Sequence, residues 1–199
     1  SLSWTYACFI WRSQTIHSRP LDINLLKNLF AFIFFIPVLF TLKDIVQFKF
    51  LILLLLSGVI GIGIGDSLYL KSLKLIGTRK TLSIEALSPI LAALSGGIFI
   101  NENLSIKSWI GIIIVSISFI SILKNKNNLI DENSNFSKNY FAFKNYIFSF
   151  LSILCAVIGA LISRFVFLKT NLNPLQTTEL RLLGSLIFLL IISRFKINF

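Results

Sequence analysis

Several residue types are scarce in this chain, and each scarcity argues against a class of function. Methionine is absent, even at position 1, and the single histidine, His17, lies near Arg19 in a polar stretch. The two cysteines, Cys8 and Cys155, each fall inside an apolar run, which predicts two buried free thiols and not a disulfide framework. One histidine and no cysteine cluster leave no ligand set for a metal, and no cofactor is expected. Acidic residues number 8 against 19 lysines and arginines, for a net charge of +11. In a soluble protein such an excess would suggest nucleic acid. Here the cations fall mainly between apolar runs and not on one aromatic-laced patch, so no nucleic-acid partner is expected and the charges read as topology signals and anchors.

Apolar residues are what the chain has in quantity. It is 55% hydrophobic and only 14% charged, with mean hydropathy +0.84, far from the balance of a soluble domain. The fold class expected is all-α, a polytopic membrane helical bundle. Apolar runs long enough to cross a bilayer lie near 24–42, 50–70, 80–100, 106–123, 146–168 and 175–193. A partial run at 1–11 is too short to cross, so the N-terminus is expected to cut a helix, and the single helix before Phe199 suggests a cut C-terminus as well. Pro37 and Pro89 fall inside spans and predict kinks, which membrane helices tolerate.

The long hydrophilic stretch 125–145 reads as a linker between two repeats, 1–124 with five helices and 146–199 with two. Pro20-Leu21, four residues, then Leu26-Lys27 and Leu29 is echoed by Pro174-Leu175, four residues, then Leu180-Arg181 and Leu183. Two tandem copies of an odd number of helices must sit in the membrane with opposite orientation, the inverted-repeat plan.

Within the run 80–100, Thr78, Thr81, Glu85, Ser88, Ala92 and Ser95 recur at helical spacing as one polar or small stripe. A carboxylate near the centre of a span costs on the order of 2.5–3.5 kcal/mol on insertion scales, so Glu85 is expected to face a bundle interior or a wet cavity. Asp66 and Glu85 lie 11 and 8 residues from a hairpin turn near Gly77. At 1.5 Å per residue that is about 16 and 12 Å of depth, a similar height on the two arms. Two such acids can share a proton or bind a substrate amine, with Thr81, Ser88 and Tyr69 supplying hydrogen bonds. The duller alternative is neutralisation by Lys71 or Lys74 across the hairpin. Lys27 and Arg181, at matching places in the two copies, can hold a carboxylate or phosphate, or merely snorkel to the interface. Gly58, Gly61, Gly63 and Gly65 lack the strand and βαβ context of a nucleotide loop and predict close helix packing. Small-residue stripes at Ser149, Ser152, Ala156, Gly159 and Ser163, and at Ser108, Gly111, Val115 and Ser118, predict the same for their helices.

The run Gly65-Asp66-Ser67-Leu68-Tyr69-Leu70-Lys71, then Pro89, Asn101-Glu102 and Gly111, resembles the EamA-like domain of the drug/metabolite transporter superfamily. The resemblance implies ten helices in two inverted five-helix units, the second truncated here. It also implies no ATP, with export or exchange of small metabolites such as amino acids through a central cavity. The family often has a basic residue early in its second and seventh helices, matched here by Lys27 and Arg181, with lysine departing from the commoner arginine. Orientation is in conflict. Loops after the first, third and fifth helices hold most of the cations and by the positive-inside rule would face the cytoplasm, whereas the family plan puts them outside. The family plan is preferred, because four of those charges crowd 71–80 beside the acids.

The function expected is therefore a secondary transporter in a bacterial inner membrane, moving an amino acid-like solute by alternating access with proton coupling. Its partners are the lipid bilayer and the small molecule, with a homodimer allowed. The rival is a non-transporting membrane scaffold whose polar stripe only joins helices; an enzyme is a poorer third, for want of an activated nucleophile.

Overall fold

The computed structural model describes residues 2–41, 47–99, 105–124 and 138–194, and among them every regular element is a helix. The helices are α1 (Leu2–His17), α2 (Pro20–Leu39), α3 (Phe48–Gly58), α4 (Asp66–Ile76), α5 (Thr78–Glu85), α6 (Ser88–Phe99), α7 (Ile106–Lys124), α8 (Lys138–Lys169) and α9 (Pro174–Arg194). Among the described residues, five helical stretches are long and apolar enough to cross a membrane: Pro20–Leu39, Phe48–Ile76, Thr78–Phe99, Asn145–Lys169 and Pro174–Arg194. Most of the expected loop at 125–145, and Glu102, lie outside the described residues. The helix expected at 146–168 already begins at Lys138.

Local chemistry sets the helix ends. Pro20 and Pro174 each occupy the first helical position, where the missing N–H would be unpaired in any case and the fixed φ suits a helix. Pro37 lies in the last turn of α2, which ends two residues later. Pro89 has no N–H for the carbonyl of Glu85, and its ring crowds that turn. The run expected as one span at 80–100 accordingly parts into α5 and α6 at Ala86–Leu87, where Leu87 N–H bonds the carbonyl of Ile84 at 3.0 Å. The polar stripe is thus divided between two helices.

A rod formed by α3, α4 and the π-helical segment Val59–Gly65 between them is the centre of the fold. It ends at Gly77, whose φ of 83° and ψ of 165° suit only glycine and let the chain turn back into α5. The glycines before Asp66 let neighbours approach to backbone distance, as their spacing predicts. On α8, a Cβ added to Gly159 would lie 2.8 Å from the Cα of Gly61 and 2.9 Å from the carbonyl oxygen of Ser57. The Ser57 hydroxyl donates to the carbonyl of Gly159 at 2.7 Å. On the α9 side, Gly58 meets the backbone of Arg181 and Gly184 that of Leu55. Between lipid-embedded helices there is no hydrophobic driving force, so this close fit supplies the attraction.

α9 also packs along α2, and the two run antiparallel. Gln176, early in α9, donates to the hydroxyl and carbonyl of Thr41, just past the end of α2, at 3.0 and 3.1 Å. Leu21, at the start of α2, shares a cavity wall with Phe188, late in α9. By contrast, among the described residues α7 packs chiefly against α6, Ser108 is exposed, and a Cβ on Gly111 would meet nothing within 4 Å. The packing expected of the α7 stripe is therefore not made in this structure.

Candidate functional site

The π segment delivers Asp66 to the face of the rod that looks at α2, where it forms an ion pair with Lys27. From the other side, the Arg181 guanidinium of α9 lies within electrostatic range of Asp66 and reaches to 3.2 Å of where a Cβ on Gly61 would stand. Of the two cations singled out by the sequence, Lys27 pairs with Asp66 directly, and Arg181 makes no ion pair among the described residues. Arg181 Nε is buried and finds no hydrogen-bond partner among the described residues. Asn24, one turn before Lys27 and fully buried, secures the widened backbone. Its amide donates to the carbonyls of Ile62 and Gly63 at 3.0 and 3.1 Å and to the Ser67 hydroxyl at 2.9 Å. π-Helical stretches misalign the carbonyl ladder, and a side-chain amide meets the need that water cannot meet inside a bilayer.

One turn further along the rod, a second carboxylate has different company. Tyr69 and Glu85 each lie 8 residues from Gly77, so the hairpin brings them level, and the Tyr69 hydroxyl donates to Glu85 Oε2 at 2.9 Å. Trp4 Nε1 donates to the same oxygen at 3.3 Å. The Cys8 thiol lies 3.1 Å from the Tyr69 hydroxyl. Among the described residues no cation pairs with Glu85. Glu85 closes α5 at the break before Pro89, and its side chain is half-buried.

An aromatic line joins the two acids. Trp4 meets Tyr69 with ring centres 6.2 Å apart and Trp11 edge-on at 5.4 Å, and the Lys27 ammonium stands 5.4 Å over the Trp11 ring. Sequence reading named Cys8 only as a buried thiol and did not single out Trp4 and Trp11, although the 4, 8, 11 spacing places the three on one helical face. Nor did it name Asn24 as a support, although an asparagine inside an apolar run is a signal in its own right.

The remaining expected residues divide. Thr81 is fully buried and bonds Ser72 at 2.9 Å and the Gly77 carbonyl at 2.9 Å, so it fastens α5 to α4 instead of lining an open space. Ser88 is half-buried at the start of α6, one turn beyond Glu85. The alternative in which Lys71 or Lys74 neutralises an acid across the hairpin is not what the structure shows. The Lys71 ammonium stands 4.1 Å over the ring of Phe148, Lys74 is exposed, and the partner of Asp66 comes from α2. Cys8 and Cys155 are free thiols, Cys8 buried and Cys155 half-buried. No group of three potential metal ligands occurs among the described residues.

A family model described as the EamA-like transporter family matches residues 1–124. No curated protein gives a match.

Proposed function

Because the chain belongs to the EamA-like transporter family, we propose that this integral membrane protein is a secondary-active transporter that exports or exchanges a small, polar, amino acid-like metabolite by alternating access. Glu85 carries the reading. It is a carboxylate at the break of a membrane helix, held by two neutral donors that both use Oε2. Broken spans are where transporters build sites near the midplane, because backbone freed at the break is tolerated there only against protein or a water-lined cavity. Glu85 receives the substrate's ammonium, Tyr69 and Trp4 orient it, and Ser88 offers a hydroxyl one turn away. Arg181, with a donor to spare, faces the substrate's carboxylate, while the Lys27–Asp66 pair ties α2 to the central rod. A carboxyl group with no resident cation can also trade a proton for the ammonium, which is the basis proposed for proton coupling. The antiparallel run of α2 and α9 supports an inverted pair of units, 1–124 and 146–199, joined by the linker 125–145. We place the protein in a bacterial inner membrane, with chemistry confined to transport and with no cofactor.

The test compares metabolite levels inside cells and in the medium for cells expressing the protein and cells expressing Glu85→Gln at equal membrane abundance. One amine-bearing compound should move with the unmutated protein and stay with the variant. A compound that moves equally with both would remove Glu85 from the site, and no change in any compound would favour the scaffold reading.

A further inference from the structure

A cavity of about 180 Å³, lined by neither Asp66 nor Glu85, opens between the start of α2, the rod and α9. Pro20, Leu21, Ile64, Leu68 and Phe188 make its walls, and Gly63 leaves the space that a side chain would fill, since a Cβ there would come within 2.8 Å of the Phe188 ring. None of the seven candidate site residues lines it. The hydroxyl in its wall, that of Ser67, is already engaged, donating to the Gly63 carbonyl at 2.6 Å and accepting from Asn24 at 2.9 Å. A polar solute would therefore find little to bond inside. The charge lies at the edge, where Arg19 is exposed at the N-cap of α2 and Lys71 is half-buried. The Phe148 ring holds the Lys71 ammonium in place without cancelling its charge. Arg12 comes within 3.2 Å of a Cβ position on Gly77, and Lys74, Arg79 and Lys80 are exposed around the same hairpin, so the cavity opens at the basic end of the bundle. Asp22, in the first turn of α2, is exposed and outside the cavity wall.

We infer that this cavity is a binding site for an anionic phospholipid, with an acyl chain against Leu21, Ile64, Leu68 and Phe188 and the phosphate between Arg19 and Lys71. An occupant apolar within and anionic at the mouth is what the wall and its edge together select. Basic pockets between spanning helices are recognised routes to lipid head groups. The site is separate from the transport site and stands whether or not Glu85 binds substrate.

The test purifies the protein in a neutral detergent, titrates it with phosphatidylglycerol, phosphatidylcholine or inorganic phosphate, and reads lipid retained by native mass spectrometry together with the thermal midpoint. Phosphatidylglycerol should be retained and raise the midpoint. Phosphatidylcholine and millimolar phosphate should do neither. At roughly 1 kcal/mol per basic contact, the Arg19→Gln/Lys71→Gln double variant should bind phosphatidylglycerol roughly thirtyfold more weakly. Arg19→Lys/Lys71→Arg should restore binding, and Lys80→Gln, on the same end but outside the cavity, should leave it unchanged. Equal retention of the two lipids, an unaffected double variant, or protection by phosphate alone would each overturn the proposal.

Discussion

Asp66 and Glu85 are two carboxylates at two interruptions of regular helix, one turn apart along the rod, yet their neighbourhoods differ in kind. Asp66 follows the π segment and is claimed by Lys27 from α2, with Arg181 of α9 in range. Glu85 ends α5 before the proline break and is claimed by a phenol and an indole, both neutral. Asp66 is therefore a fastening, which ties α2 to the central rod. Glu85 still has a charge to be matched, by a proton or by a ligand's cation. In a membrane interior, where an unmatched charge is costly, the partners of an acid say more about its role than its depth does.

The largest expected effect follows from breaking the first neighbourhood. Asp66→Asn leaves Lys27 without its anion and should cost about 1–3 kcal/mol of stability in detergent, read as a lowered denaturation midpoint. That is less than the several kcal/mol of a fully buried pair, because the Lys27 and Asp66 side chains keep 26% and 35% exposure. Glu85→Gln, whose amide oxygen can still accept from Tyr69 and Trp4, should shift the same midpoint by less than about 0.5 kcal/mol. If the two substitutions destabilise equally, the contrast between the acids fails. Exchanging charges in Lys27→Asp/Asp66→Lys should recover part of what Asp66→Asn loses, although Arg181 then faces a lysine. A swap no better than the single variant would mean that the pair contributes nothing as a pair.

Smaller effects sharpen the second neighbourhood. Tyr69→Phe removes the donor to Glu85 and the contact with the Cys8 thiol, an expected loss of about 1 kcal/mol, or about fivefold in solute affinity measured by competition. Trp4→Phe gives up only the longer bond at 3.3 Å and keeps a ring beside Tyr69, so about a twofold change is expected. A larger effect for Trp4→Phe than for Tyr69→Phe would reverse the order of the two donors.

Much of this arrangement was legible in the sequence, because local rules fix it. Apolar length located five of the six full-length spans, all but that at 106–123, and Pro89 and Gly77 marked the break and the turn. Glycine spacing predicted the close approach of rod and α8, and the repeated Pro-Leu and Leu-basic pairs singled out Lys27 and Arg181. What was not legible depends on the azimuth of one helix against another. The cation for Asp66 comes from 39 residues away on α2, while the nearer Lys71 turns to Phe148. Thr81 belongs by spacing to the same stripe as Glu85, but the hairpin turns it into the α4–α5 contact with Ser72. The cluster of Trp4, Tyr69 and Glu85 draws on three helices, and no periodicity within one helix reports it.

The most direct test of a ligand-ready Glu85 is the reactivity of a thiol placed one turn away. Ser88→Cys, made where Cys8 and Cys155 are replaced by serine, is exposed in membranes to a charged aqueous thiol reagent beside two references, Lys80→Cys on the exposed hairpin and Ser152→Cys buried in α8. Labelling at a rate approaching that of Lys80→Cys, and slowed by the transported solute, is the predicted result. A thiol at 88 as inert as the one at 152 would mean that Glu85 faces packed protein, and the transport site proposed here would be wrong.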